Sequence, residues 1–546
     1  MFGLKSVYFY LVAYQITLIK YFKKIYFLSR NYNKSLEART PQQVYYHPNP
    51  FLLSIITSYT GQSFRVSEID PNIFWLEDSK DEKKQMHSFF WLSLIDRKTN
   101  HKKLKQIIYI WMLKNSKYKI KTWETSTLSE RIISWLLNVD IILNNSTFEF
   151  KKNFLSCIIT QTNHLKKNIR FEKDYIKKVR ILTAIILTGL VFKEYEENFE
   201  IGVKELESLV KNCFDDQGFP LSRNPNDLIF FSKYLLFCKE IIKDSHKYVP
   251  EFLEDIIEKN LNCIHYIKTP DEQMPLFNGA TSIVNLKHIE NYLDDFKPSN
   301  KNNSLGGLYK IKHKNHFIII DTEKPPKRKF SKSYQSGPLS FEYFLDDIKI
   351  ITNSGFGSHI SRKAEFLSRL TACQSTLSIN DTSVTKFEKN EIINQIFGNS
   401  VKNSFKTFDF FAKNEKSLIG CSVANNGYEK EFGCTHKREI YVNKENNYLK
   451  GIDHIFKAKD GYPVRYAFRF HINPELNVVK TISGNSAIIQ ISKNKSLIFT
   501  VIGENLEIEK SVFLGGKKIV DNACITINGN LVNKNKSFNW EIRKNF

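Results

Sequence analysis

The chain has 546 residues, 42% of them hydrophobic and 14% aromatic, enough for two large cores or three smaller ones, which excludes a disordered polymer. Lys and Arg number 80 against 57 Asp and Glu, a net charge of +23. That excess favours a polyanionic partner (nucleic acid, anionic lipid or acidic polysaccharide) or else reflects solvated surface lysines. Eight cysteines, at 157, 213, 238, 263, 373, 421, 434 and 524, form no CxxC pair and read as buried thiols. This argues against a disulfide-dense secreted scaffold and leaves the periplasm open.

Residues 1–30 carry an apolar segment, 7–19, flanked by Lys5 and by Lys20, Lys23 and Lys24. It is shorter than the roughly 20 residues of a membrane span and is followed by no small-x-small cleavage site. Residues 1–48 are therefore expected to form a basic amphipathic segment that lies on a membrane surface or packs on the body. An aromatic, irregular lead-in (48–100) precedes apolar residues at three- and four-residue spacing in 104–115, 126–144, 154–169, 175–192, 201–214, 227–243, 252–267 and 282–296. These spacings predict helices joined by short loops, an all-α body over 49–298, within which the run 181–192 is apolar all round and reads as a buried helix.

The polar turn formers of PSNKNNS, 298–304, mark a boundary. Beyond it, over 299–546, short β-rich runs follow one another: 307–313, 316–321, 339–344, 348–352, 417–425, 438–443, 448–456, 464–472, 477–483, 486–492, 496–503, 506–514, 523–529 and 538–544. So many short runs at this spacing predict a large antiparallel β-sandwich, giving an α+β multidomain chain.

The stretch from His316 to Asp381 carries IIID, SGPLSFE, IITNSG and RLTACQSTLSIND in that order. It resembles the heparinase II/III-like polysaccharide lyases, in a bacterial branch. Further matching text lies in IDPNIFW with SFFWLSLID, TWETSTLSERIISWL, DQGFPLSRNP, MPLFNG, YLKGIDHI, RFHINP, NLEIEKSVF and NWEIRK, so that the resemblance covers about 65–543. It implies an α/α toroid over 49–298 and a heparinase II/III-like β-sandwich over 299–546. It also implies β-elimination on a uronic-acid-containing glycan of the bacterial cell envelope or periplasm, without cofactor or metal. The expected partner is an acidic polysaccharide and not nucleic acid, with peripheral membrane contact through residues 1–30. The alternative is a catalytically degenerate relative that binds or helps assemble capsule or lipopolysaccharide glycan, and for location a cytoplasmic, membrane-associated protein.

Carried over residue by residue, the resemblance puts Gln335 and Gln374 where the family has two β-domain histidines, Ile176 and Lys177 at its Asn-His pair, and Asp227 near its Tyr. Glutamine donates and accepts hydrogen bonds but takes no proton near neutral pH. His471, in RFHINP, keeps the first histidine of an HxHP-like pattern whose second position is Asn473, and completes the catalytic candidates His471, Gln335 and Gln374. Arg223 and Arg369 match family arginines and could neutralise a sugar carboxylate or serve in ion pairs. Trp123, Arg131 and Trp135 share one helical segment that could stack on sugar or belong to the core, and Asn278 in PLFNG could contact substrate or serve a turn. Cys434 and His436 form a metal-like local pair without convincing partners. The chain has no HExxH, P-loop or GxSxG motif.

Overall fold

The computed structural model describes residues 4–57, 75, 86–97, 101–284, 286–298, 304–458, 463–532 and 535–545. Most of IDPNIFW (69–74) and most of the boundary text 298–304 lie outside the described residues. The chain divides into two compact units that interleave along the sequence. One comprises Met1–Phe214, Ile229–Asn260 and Lys287–Asp294, the other Asp215–Leu228, Leu261–Leu286 and Asp295–Phe546.

The first unit is helical: α1 Leu4–Leu28, α2 Arg30–Leu36, α3 Leu53–Ile56, α4 Lys102–Asn115, α5 Thr125–Leu137, α6 Val139–Leu143, α7 Phe148–Asn168, α8 Tyr175–Val191 and α9 Glu197–Cys213. It also holds most of α10 Pro225–Asp244 and the first turns of α11 Glu251–Ile267, with α12 Glu290–Asp294. The starts of these helices are written in the sequence. Glu124 accepts from the Ser126 and Thr127 amides, Thr147 from Phe150, and Asp174 from Ile176 and Lys177, each satisfying amides that the first turn leaves free. α8 is buried from Ile181 through Val191, as its all-round apolarity predicts. It can approach α9 closely because Gly189 has no side chain: a Cβ there would lie 2.2 Å from the Phe199 nitrogen. The helix expected over 282–296 shrinks to Glu290–Asp294, because Ser282 gives its amide and hydroxyl to the Gly515 carbonyl instead of a helical ladder.

The second unit is a β-sandwich. Its strands are β1 Ser304–Leu305, β2 Leu308–His313, β3 His316–Asp321, β4 Phe341–Leu345, β5 Ile348–Thr352, β6 Leu377–Ile379, β7 Thr407–Asn414, β8 Leu418–Tyr428, β9 Cys434–Asn443 and β10 Tyr448–Lys457. These are followed by β11 Val464–Ile472, β12 Asn477–Lys480, β13 Ser486–Ser492, β14 Lys495–Ile502, β15 Glu507–Phe513, β16 Val520–Leu531 and β17 Asn535–Asn545. One sheet runs β1-β2-β3-β4-β5-β11-β16-β15, with β6 also paired to β11, and the other β12-β13-β14-β17-β10-β9-β8-β7. The described pairings are antiparallel. Side chains of both sheets, among them Ile318, Phe341 and Phe470 from one and Val423, Ile440 and Trp540 from the other, form one continuous core. β10 alternates buried positions with half-buried or exposed ones, as a strand with one covered face must. β3 is buried at all six positions, hence the unbroken run HFIIID.

Candidate functional site

Two loops of the sandwich, 330–340 and 367–376, carry most of the nominated positions and are knitted together. The Ser336 amide donates to the Arg369 carbonyl at 2.9 Å, and the Thr371 hydroxyl to the Ser336 carbonyl at 2.7 Å. Within this weave the amides of Gln335 and Gln374 converge on one acceptor, each donating to the Ser368 carbonyl at 2.8 Å. Gln335 donates also to the Gly355 carbonyl and accepts from the Gly279 amide at 3.0 Å. Both side chains are buried. The structure brings the two glutamines together and uses them as hydrogen-bonding rivets between loops.

Asn278 and Gly279 turn the chain into this region with positive φ, 53° and 108°. A Cβ on Gly279 would fall 2.5 Å from the Ser333 side chain and 2.7 Å from Asn224, so only glycine lets the loop come close enough to meet Gln335. The Asn278 carbonyl accepts from Ser333, and its side-chain nitrogen is buried without a hydrogen-bond partner.

His471 reaches the same weave from β11. Its Nε2 lies 3.0 Å from the Ala372 carbonyl, its Nδ1 3.0 Å from the Ser511 hydroxyl, and its amide donates to Ser375. A carbonyl can only accept, so Nε2 carries the proton and Nδ1 accepts from Ser511. Burial holds the pKa down to about 4. The unfolded imidazole, near 6.5, takes up a proton that the folded one refuses, so stability is lost as pH falls from about 6.5 towards 4, by roughly 3 kcal/mol for this group. A His471→Gln variant will show a shallower loss of stability than the parent over that window in denaturant titrations at stepped pH.

Arg223, in left-handed conformation with φ 58°, ion-pairs with buried Asp321 and donates to the carbonyls of Gly306, at 2.9 Å, and Lys324, at 2.8 Å. Burial works against its charge, and Asp321 restores it. Arg369 donates to the Tyr334 and Ser331 carbonyls at 2.9 Å and lies 4.0 Å from the Phe387 ring centroid; burial lowers its pKa to about 10. Both arginines bind their own protein. Asp227 accepts from Ser222 at 2.6 Å and Asn224 at 3.2 Å.

In the helical unit, Trp123 and Arg131 are core residues. The Trp123 indole donates to the Asn115 carbonyl at 2.9 Å, and the Arg131 guanidinium lies 4.3 Å from the Trp111 centroid while donating to Gln161 and the His87 carbonyl. Both are fully enclosed, as are Trp111 and Trp135, and offer no face to a sugar. Lys177 is ion-paired with Glu124 at 2.7 Å. His436 is taken by Asp453 at 2.7 Å, and among the described residues no cluster of His, Cys, Asp and Glu could hold a metal ion.

Two cavities open on the sandwich unit. One, of about 520 Å³, is lined by Arg223, Gly306, Gly307, Glu323, Lys324 and Lys327. The other, of about 610 Å³, is lined by Phe366, Phe387, Lys386, Lys389, Lys402 and Asn403. Lys386 and Lys402 pair with Glu431 and Glu388, and Lys389 is exposed. An exposed aromatic ring beside lysine and amide side chains suits an anionic sugar. Sequence reasoning did not nominate this set, whose signal was the interleaved TKFEKN, 385–390.

A family model for the heparinase II/III-like C-terminal domain matches residues 298–541. Among solved structures, the chain is similar to a mutant heparan sulfate lyase from Pedobacter heparinus, with 14% identity, 86% of this chain and 78% of that one covered, and a TM-score of 0.64. A heparinase III gene product gives 13%, 91%, 83% and 0.67, and a further heparinase III gives 15%, 90%, 80% and 0.66. No curated protein matches. At such identities the likeness carries the fold, a helical toroid followed by an antiparallel β-sandwich, and not the role of any residue. Residues 298–541 therefore match a heparinase II/III-like C-terminal domain, within a chain whose fold is similar to that of the heparinases.

Proposed function

We propose that the chain is a polysaccharide lyase that acts by β-elimination on an anionic, uronic-acid-containing glycan of the bacterial cell envelope. The observation that carries this reading is the heparinase II/III-like domain on a heparinase fold, with the lysine-lined cavity on that domain in support. β-Elimination needs the substrate carboxylate neutralised, the C5 proton removed and the departing oxygen protonated. Lys389 supplies a positive charge for the glycan, beside Lys386 and Lys402, which are ion-paired with Glu431 and Glu388. Gln335 and Gln374 supply hydrogen bonds but no base, and His471 has both ring nitrogens committed.

That commitment favours a second reading, a catalytically degenerate relative that binds or helps assemble capsule or lipopolysaccharide glycan. The two readings separate on a panel of acidic polysaccharides. The lyase releases unsaturated uronate ends, read as new ultraviolet absorbance; binding to a panel member with no such release from any of them selects the second. Activity gained in a Gln335→His, Gln374→His double variant would locate a lost base. Under either reading Lys389→Glu weakens glycan binding by about tenfold, some 1.4 kcal/mol, in titration calorimetry.

A further inference from the structure

α1 leaves an apolar face uncovered. Val7, Leu11, Tyr14, Leu18, Phe22 and Ile25 fall on one stripe at three- and four-residue spacing, and all are exposed, Phe22 to 64%. Tyr8, Ile19 and Tyr26 widen the stripe on one flank, and Tyr10, Tyr21 and Leu28 on the other. At 100° per residue the exposed apolar arc covers about half the helix. The opposite side is fixed to the helical unit. Phe27 packs 4.5 Å from the Tyr32 ring and 5.1 Å from Tyr118, Asn33 donates to the Phe27 and Ser29 carbonyls and accepts from the Tyr118 amide, Lys23 lies over Phe171, and Ala13 is buried. The stripe is therefore held outward.

The charges of its own segment are of one sign. Residues 1–36 hold Lys5, Lys20, Lys23, Lys24, Arg30 and Lys34 and no Asp or Glu. α2 packs on α7, which ends in Lys166, ion-paired with Glu197, and in Lys167, with Arg170 just beyond. A second copy of the helix would bring like charges together. The arc is also wider than a coiled-coil seam, and Tyr8, Tyr10 and Phe22 stand where such a seam would place opposite charges. A lipid surface with anionic headgroups satisfies both halves of the pattern: the stripe enters the acyl boundary, the tyrosines sit at headgroup depth, and the lysines meet phosphates. Among the described residues no helix is long and apolar enough to cross a membrane, so the geometry is one of lying in the surface.

We propose that α1 is an interfacial helix that docks this protein on an anionic lipid bilayer, independently of any glycan chemistry. The test is co-sedimentation of the intact chain with vesicles of phosphatidylcholine alone or mixed with phosphatidylglycerol. The mixed vesicles should bind at least about tenfold more tightly, since each Lys or Arg near an anionic surface adds to the attraction, and salt should weaken the binding. Leu11→Asp, Leu18→Asp and Ile25→Asp together should abolish it, and Lys20→Glu with Lys24→Glu should remove the preference for phosphatidylglycerol. All five positions are exposed, so the thermal midpoint should stay unchanged. Equal binding to both vesicle types, or binding that survives the aspartates, overturns the proposal. So does a dimer in sedimentation that Leu18→Asp dissociates while neither vesicle is bound, which would assign the stripe to a second copy.

Discussion

Replacing Asp453 by Asn will cost the sandwich about 3–5 kcal/mol, measured as a lower urea midpoint of the β signal, because it removes one partner of a buried ion pair. Its carboxylate is buried and takes four donors: Arg438 Nε at 2.7 Å, Arg438 Nη2 at 3.1 Å, His436 Nε2 at 2.7 Å and the Trp540 indole at 2.9 Å. Burial alone would raise its pKa, but Arg438 and His436 hold it well below the usual carboxylate range. Asn keeps the size and loses the charge, leaving Arg438 uncompensated among Phe341 and Phe470. The effect will reach the candidate site, since Arg438 Nη1 also donates to the carbonyls of Leu339, at 2.9 Å, and Ser375, at 2.7 Å, one on each loop that carries a glutamine. Loosened packing of both loops, seen as faster amide exchange at Gln335 and Gln374, is the accompanying readout.

Arg223→Met will destabilise the same unit by a similar amount, about 3–5 kcal/mol, for the same physical reason. It strands Asp321 without a cation and leaves the Gly306 and Lys324 carbonyls short of a donor. A sugar-binding arginine would behave otherwise, lowering glycan affinity with little change in stability. The double variant Arg223→Met, Asp321→Leu should recover much of the loss, because a buried ion pair exchanged for apolar groups of like size is often neutral. Urea titrations of the two variants against the parent check both statements.

These expectations differ from what the amino-acid text suggests for the same residues. Arg223, Arg369, Trp123, Arg131 and His471 are site candidates by their chemistry, and each is a residue type that serves equally well inside a protein. Spacing cannot tell whether an arginine faces a ligand or a carbonyl of its own chain. The strand β7 escaped notice because Phe408, Phe410 and Phe411 stand exposed on an edge and follow no alternation. The basic cavity escaped because its lysines are brought together by the 366–403 loops and not by a repeat.

The helical part, the sandwich and their order are legible in the sequence. Those follow from hydrophobic period and local turn chemistry, which act between near neighbours and are visible in the text. Tertiary structure alone decided what the polar residues do, because burial and partner identity depend on chain segments brought together from far apart. It put the two glutamines on a single carbonyl, paired Arg223 with Asp321, neutralised His471 by enclosing it, and left the stripe of α1 in water.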